Sequence, residues 1–506
     1  MNQLELAPLF QHHMVLQREK PITVWGRGPE DAMVTVRLDG VSASAVIREH
    51  RWSCVLPPHG PAEGLTLIVE MDIPGFPVTT VKDVAVGDVW LAGGQSNMEY
   101  FLRYDSHWEE IRRQPLNRQI RMFNVPRLCF EGQQKDVSDS GYWFGQGEKA
   151  WETFSAPGYC FARELQPVLG VPVGIIGCNW GGTPACAWMD PEYLKEEPLN
   201  RVIEEYEEAF RGCDLSKLRR ETLRGYAQED SPEHGEQWKA VMYGLNDEEQ
   251  RQWKKDHAWD AVAPLGPWHA YRPGGLYHQM LEQVIPYALK GVIWYQGESD
   301  SGHPDLYDGL METLIRCWRE KWKDDFPFLM VQLAPFHHWL DCTGENYAEI
   351  RRRQEMVAAR VPNVWTVSIM DLGMYEDIHP KRKKEVGERL TLLARGCVYG
   401  EDILCRSPEL ASGEVSGNTI TLKLVYTGAG LQWAGEKPDA FRVTVDGQEV
   451  KDYQVTLQGD SICIAMPGAI QKECVVSFAE EDYVEVNLFN EAGLPVKPFT
   501  WKYRAE

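Results

Sequence analysis

The sequence predicts an α/β protein in which a parallel sheet, covered by helices on both faces, is flanked at either end of the chain by an all-β module. Three observations predict it. Between about 86 and 400, apolar strand-like runs alternate with amphipathic helical spacings. Before and after that stretch, short β-forming runs follow one another with no helical period. At 506 residues, 43% of them hydrophobic, the chain also exceeds what a single core organises.

Residues 1–85 carry the runs Ile22-Thr23-Val24-Trp25-Gly26, Val34-Thr35-Val36-Arg37-Leu38 and Leu65-Thr66-Leu67-Ile68-Val69 between Gly, Pro and Asp turns, and a sandwich buries such strands. At Val86–Leu91 an apolar strand begins that ends in Gly93-Gly94-Gln95-Ser96-Asn97-Met98, a sharp strand-to-helix turn. Helical spacing at Phe161, Leu165 and Leu169 leads to the strand Val173–Gly177 and the turn Trp180-Gly181-Gly182-Thr183. A helix over Leu276–Leu289 precedes the strand Val292–Tyr295 and the turn Gln296-Gly297-Glu298-Ser299-Asp300. Leu306, Leu310, Leu314, Trp318 and Trp322 mark a further helix, followed by strands at Phe328–Leu333 and Val364–Ile369 with a helix between them.

This middle region, 86–400, is interrupted at about 190–270 by charged, Trp-containing sequence, expected as a helical lid or wall beside the site. Residues 401–506 return to strands at Val415–Val425, Phe441–Val450, Asp452–Leu457, Ile462–Met466 and Val475–Phe478, a second β module whose end is expected to pack on the first.

Strands of a parallel sheet end on one edge, so the turns at 93–97, 181–183 and 296–298 and the segment Asp371–Pro380 are expected on a common rim. Their residue types suit acyl transfer, which needs a nucleophile, a base, an orienting acid and oxyanion donors. Ser96 is the nucleophile and His379 the base. In an extended segment Asp377 reaches the second ring nitrogen of His379, whereas in a turn Glu376 does. The amide of Ser96, an amide from Gly181 or Gly182, and the side-chain amide of Gln296 are the expected oxyanion donors. Lys381-Arg382-Lys383-Lys384 reads as the solvated first turns of a helix begun at Pro380.

Gly94-Gln95-Ser96-Asn97-Met98, Trp180-Gly181-Gly182-Thr183-Pro184, Trp294-Tyr295-Gln296-Gly297-Glu298-Ser299-Asp300 and Asp377-Ile378-His379-Pro380 together resemble the motifs of the sialate O-acetylesterase family. Pro8-Leu9-Phe10, His13–Arg18 and Val484–Pro495 resemble its flanking β modules, so the resemblance covers most of the chain, least at 190–270. It implies an SGNH hydrolase with a flavodoxin-like, three-layer core. The implied activity is that of a serine esterase that takes acetyl groups from a sugar, without metal or organic cofactor. By position it makes Ser96 the nucleophile, His379 the base, Asp377 its partner and Gln296 an oxyanion donor, with Glu298 in support of the histidine. Many SGNH enzymes place the acid three residues before the histidine, where this chain has Glu376.

The implied substrate is an acetylated mono- or oligosaccharide, either a sialic acid or a xylan, mannan or xyloglucan fragment. Asn97, Trp180 and Arg272 are candidate substrate contacts, with Arg103 as a second carboxylate-binding cation and Trp188 and Trp268 as further platforms. The competing readings are a non-catalytic carbohydrate-binding protein and a lipase or thioesterase. A net charge of −23 argues against a nucleic-acid partner. No apolar run is long enough to span a bilayer, and the start carries no export signal, which together with twelve cysteines lacking paired spacing leads to an expected cytoplasmic location. Oligomeric state is left open, a homo-oligomer included.

Overall fold

In a computed structural model the chain is described at residues 3–133, 140–229, 232–244, 247–256, 264–435 and 440–505. It divides into two compact units. The first comprises Met1–Ser299, Asp308–Phe328 and Lys381–Glu388, and the second Asp300–Tyr307, Leu329–Pro380 and Arg389–Glu506.

The first unit begins with two small sheets. Glu5–Leu6, Ile22–Arg27 and Arg51–Leu56 form one, and Met33–Leu38 pairs with Val41–Val46 and Ala62–Met71 in the other. Their alternating side chains, Val24 and Cys54 from one sheet and Val34 and Val36 from the other, are buried. Ala62–Met71 pairs in turn with β1 (Thr79–Gly94), a strand of 16 residues that runs on without a break into the central sheet. A boundary drawn at 85/86 therefore falls inside one strand, because a β module that shares a strand with the core needs no linker.

The central sheet of this unit has the order β3 (Trp143–Gly145), β2 (Ile120–Asn124), β4 (Val173–Asn179), β1 and β5 (Gly291–Tyr295). β2, β4, β1 and β5 are parallel, and β3 is an antiparallel edge. The sequence reading missed β2 and β3: Ile120-Arg121-Met122-Phe123-Asn124 has a cation in its middle, and Arg121 is buried there by its bonds to the His13 and Asp83 carbonyls.

α1 (Ser96–Glu99) follows β1, and α2 (Ala156–Leu169) precedes β4. Ser155 caps α2 by accepting from the Gly158 amide at 3.0 Å, and Gly170 closes it in the left-handed region. The helix expected over 276–289 is shorter, a turn at Gly275–Gln279 and a 3-10 turn at Leu281–Gln283.

The described part of the 190–270 insertion is helical: α3 (Arg201–Ala209), α4 (Leu215–Glu229), α5 (Pro232–Gly244) and α6 (Asp247–Asp256). Residues 230–231, 245–246 and 257–263 of it lie outside the described residues. It is a wall rather than a surface excursion. Tyr243 of α5 packs its ring 4.8 Å from Tyr100 and 5.9 Å from Phe101, just past Ser96 in the chain.

In the second unit β6 (Phe328–Val331) lies beside β7 (Val364–Val367), and two four-stranded sheets close the chain. Glu409–Ser416, Thr419–Val425, Ser461–Ala465 and Gln454–Gln458 form one, and Gln448–Val450, Phe441–Val445, Glu473–Phe478 and Phe499–Arg504 the other. Ile420, Leu422, Ile462 and Ile464 from the first and Val443, Val476 and Phe478 from the second share one core. The runs 415–425 and 441–450, expected as single strands, each hold a hairpin turn, at Gly417 and Gly447, both in the left-handed region.

Candidate active site

Register makes the rim of the first unit. Gly94 stands opposite both Asn179 and Tyr295, so the residues after it, after Asn179 and after Tyr295 leave the sheet at one level of its carboxyl edge. At Gly94, φ is +134° and an added Cβ would stand 2.1 Å from the Tyr295 carbonyl oxygen, so the turn requires glycine. The Gln95 amide donates to that carbonyl, and the Trp180 amide donates to the Gly94 carbonyl, each at 3.1 Å. Ser96 thereby opens α1 beside Gly181, at whose position an added Cβ would lie 3.3 Å from the Ser96 Cβ.

Side chains then stitch the three turns together. The Gln95 carbonyl oxygen Oε1 accepts from the Gly297 and Ser299 amides at 3.4 and 3.2 Å. Asn97 Nδ2 donates to Glu298 Oε1, and Asn97 Oδ1 accepts from Lys383 Nζ, both at 2.5 Å. Lys383 is fully buried, its ammonium 4.9 Å from the Tyr100 ring centre and 5.1 Å from that of Tyr295. Three residues after Ser96, the buried Glu99 accepts from the Gly181 amide at 2.6 Å and from Arg127 and Lys239 at 2.8 Å each. Burial pushes the Glu99 carboxyl up, but Lys239 and Arg127 outweigh it and hold the group down at about 2. Lys239 comes from α5, so the insertion is tied by charge to the turn that carries Gly181.

The second unit carries the histidine. The buried Asp377 Oδ1 accepts from the His379 amide at 2.8 Å and lies 3.6 Å from His379 Nδ1. Trp339 sits edge-on to the imidazole, ring centres 5.1 Å apart at 84°. Upstream, Arg389 clamps Asp371 with two bonds of 2.6 and 2.7 Å and also donates to the Ser368 carbonyl, which fixes the exit from β7. Glu376, the alternative orienting acid, is exposed.

Several expected roles are corrected. The Gly181 amide is committed to Glu99, which leaves Gly182 as the glycine candidate for the oxyanion; at φ +75°, Gly182 lies in the left-handed region that favours glycine. The Gln296 amide is buried and donates to the Thr183 carbonyl over a long 3.4 Å. Asn97 spends both ends of its amide inside the protein and is a brace, not a substrate contact.

Trp180 is buried against Arg127 and Tyr226, and Trp188 is a core residue whose indole donates to Thr183 Oγ1 at 2.9 Å, so neither offers a platform. Trp268 is half-buried with the Arg219 guanidinium 5.9 Å from its ring centre. Arg272 turns its guanidinium to the Cys129 carbonyl, and Arg103 lies over the Phe101 and Tyr104 rings. The run 381–384 is not a solvated face: Lys383 is interior, Lys381 donates to the Tyr243 carbonyl and Lys384 pairs with Glu388. Lys383, Glu99 and Lys239 are the residues sequence reasoning missed. Glu99 alone left a trace, an acid in the first turn after the serine.

Fold and site define an α/β protein with a mixed-sheet core, β modules before and after it in the chain and polar strand-end turns gathered at one edge of the sheet, which is the architecture of carbohydrate esterases. Residues 251–393, which hold Gln296, Glu298, Asp377 and His379, match the model of a family described as carbohydrate esterase, sialic acid-specific acetylesterase. The chain is 25% identical to the sialate O-acetylesterase of Rattus norvegicus over 501 residues, 92% of this chain and 84% of that one. It is 27% identical to that of Homo sapiens over 429 residues, 78% and 71% of the two chains. The crystal structure of a carbohydrate acetylesterase from Xanthomonas citri superposes with a TM-score of 0.74 at 28% identity, covering 99% of both chains. The resemblance carried by the four motifs thus holds over most of the sequence and over the whole fold.

Proposed function

We propose that this chain is a serine esterase that removes O-acetyl groups from a sugar, an acetylated sialic acid or a related acetylated saccharide, on a core of the SGNH type. Ser96 Oγ attacks the acetyl carbonyl while His379 takes its proton, Asp377 holding the imidazole in the needed tautomer. The amides of Ser96 and Gly182 receive the oxyanion, the Gln296 side-chain amide being buried and turned to the Thr183 carbonyl. Collapse of the tetrahedral adduct expels the sugar alcohol, which takes the proton from His379. Water then enters by the same base and releases acetate from the acetyl-enzyme. The observation that carries this reading is the register that lifts Ser96 to the carboxyl edge between the 180–183 and 296–298 turns, in a chain similar over most of its length to sialate O-acetylesterases. A neutral acetylated saccharide such as a xylan, mannan or xyloglucan fragment is the second substrate reading, supported by the likeness to a carbohydrate acetylesterase.

Incubation with acetylated sialic acids and with acetylated xylo-, manno- and xyloglucan oligosaccharides, read by mass spectrometry, tests it. Acetate is released from at least one class, and Ser96→Ala and His379→Ala each abolish release while keeping the wild-type circular dichroism. Wild-type turnover in either variant contradicts the assignment.

A further inference from the structure

Within the second unit, three segments distant in sequence bring rings together at the surface beside the His379 loop. Tyr375 is 45% exposed although it is four residues from a buried histidine. His337, also exposed, lies flat on it with ring centres 4.3 Å apart and an interplanar angle of 9°. Tyr483 meets Tyr375 edge-on at 5.0 Å, and His338 does so at 5.7 Å.

The backbone fixes this arrangement. The His338 amide donates to the Tyr375 carbonyl and the Phe336 amide to the Asp482 carbonyl, each at 3.1 Å, and Phe336 bridges Met374 in parallel register. The residue after His338, Trp339, is the one that packs against the His379 imidazole. A single exposed ring needs no explanation, but a cluster held rigid by three segments at the edge of a candidate catalytic loop does.

Resting on the esterase reading above, we infer that His337 and Tyr375 form a stacking subsite for a neutral sugar ring, one unit along an oligosaccharide from the residue that is deacetylated. An aromatic face covers the C–H face of a pyranose without demanding charge. The neighbouring exposed side chains Glu376 and Glu485 are acidic and would repel a sugar carboxylate.

The test is isothermal titration of the full chain with xylo- and manno-oligosaccharides stripped of acetyl groups, and with free N-acetylneuraminic acid. The wild type binds at least one neutral oligosaccharide, Tyr375→Ala and His337→Ala each weaken it tenfold or more, and Tyr375→Trp restores it. Equal affinity in the two alanine variants, no binding of either neutral series, or tighter binding of N-acetylneuraminic acid that is lost in Tyr375→Ala overturns the subsite. Hydrolysis of p-nitrophenyl acetate by the wild type, measured alongside, reports on the esterase reading separately: if it is absent while the oligosaccharide still binds, that reading fails and the platform remains.

Discussion

The turn that carries Ser96 and the loop that carries His379 are built by opposite means. The turn is set by sheet register, by a glycine that nothing else can replace, and by a buried polar lattice of Gln95, Asn97, Glu298 and Lys383. The loop has almost no regular structure and is held by one Arg389–Asp371 clamp, an Asp377 side chain folded onto the His379 amide, and packed rings. A nucleophile needs a fixed backbone so that amide donors converge on it, whereas a base needs only its ring plane held. Under the roles proposed for Ser96 and His379, the two constructions answer those different demands.

The largest effect that sharpens this contrast is expected at the loop. Under the proposed roles, Asp377→Asn removes the carboxylate 3.6 Å from His379 Nδ1 while keeping its shape, and it should lower kcat on p-nitrophenyl acetate by roughly a thousand- to ten-thousand-fold. A loss below about tenfold would show that the loop keeps its histidine by packing alone. Second, Lys383→Met leaves the buried Asn97 Oδ1 without its ammonium, and a lost charged hydrogen bond costs about 1.5–3 kcal/mol. Urea unfolding should register that loss, with Lys383→Arg retaining part of the stability.

The Glu99 cluster gives a pH signature of the turn. Its folded carboxyl is held at about 2 against an ordinary 4.5, so its contribution, about 3 kcal/mol, is complete above pH 4.5 and is lost as the pH falls toward 2. Acid unfolding curves should show that Glu99→Gln is less stable than the wild type at neutral pH, with the gap closing toward pH 2. The smallest effect belongs to Glu376→Gln, which should alter kcat less than about threefold, since that side chain is exposed. A hundredfold drop there would transfer the orienting role from Asp377.

The same contrast explains what could be read from the sequence. The Ser96 strand, its glycines and the matching polar turns at 180–183 and 296–298 were legible because parallel strands force a pattern on neighbouring residues: apolar run, glycine, polar side chain. β2 was not, because Arg121 interrupts its apolar run and is made acceptable only by carbonyls far away in sequence. Lys383 was hidden for the same reason. In a row of four cations nothing marks the one whose ammonium will sit between two tyrosine rings. The tryptophans misled in the other direction: Trp180 and Trp188 carry sugar-binding chemistry in principle, yet burial against Arg127, Tyr226 and Thr183 uses them up. Tyr375 and His337 are exposed rings instead, residues that no periodicity singles out.

The central claim is that an alcohol at residue 96 is activated by an imidazole at residue 379. A fluorophosphonate probe followed by peptide mass spectrometry measures it directly. Stoichiometric modification of Ser96 in the wild type, lost in His379→Ala, is the expected result; an unmodified Ser96, or equal labelling without the histidine, would contradict it.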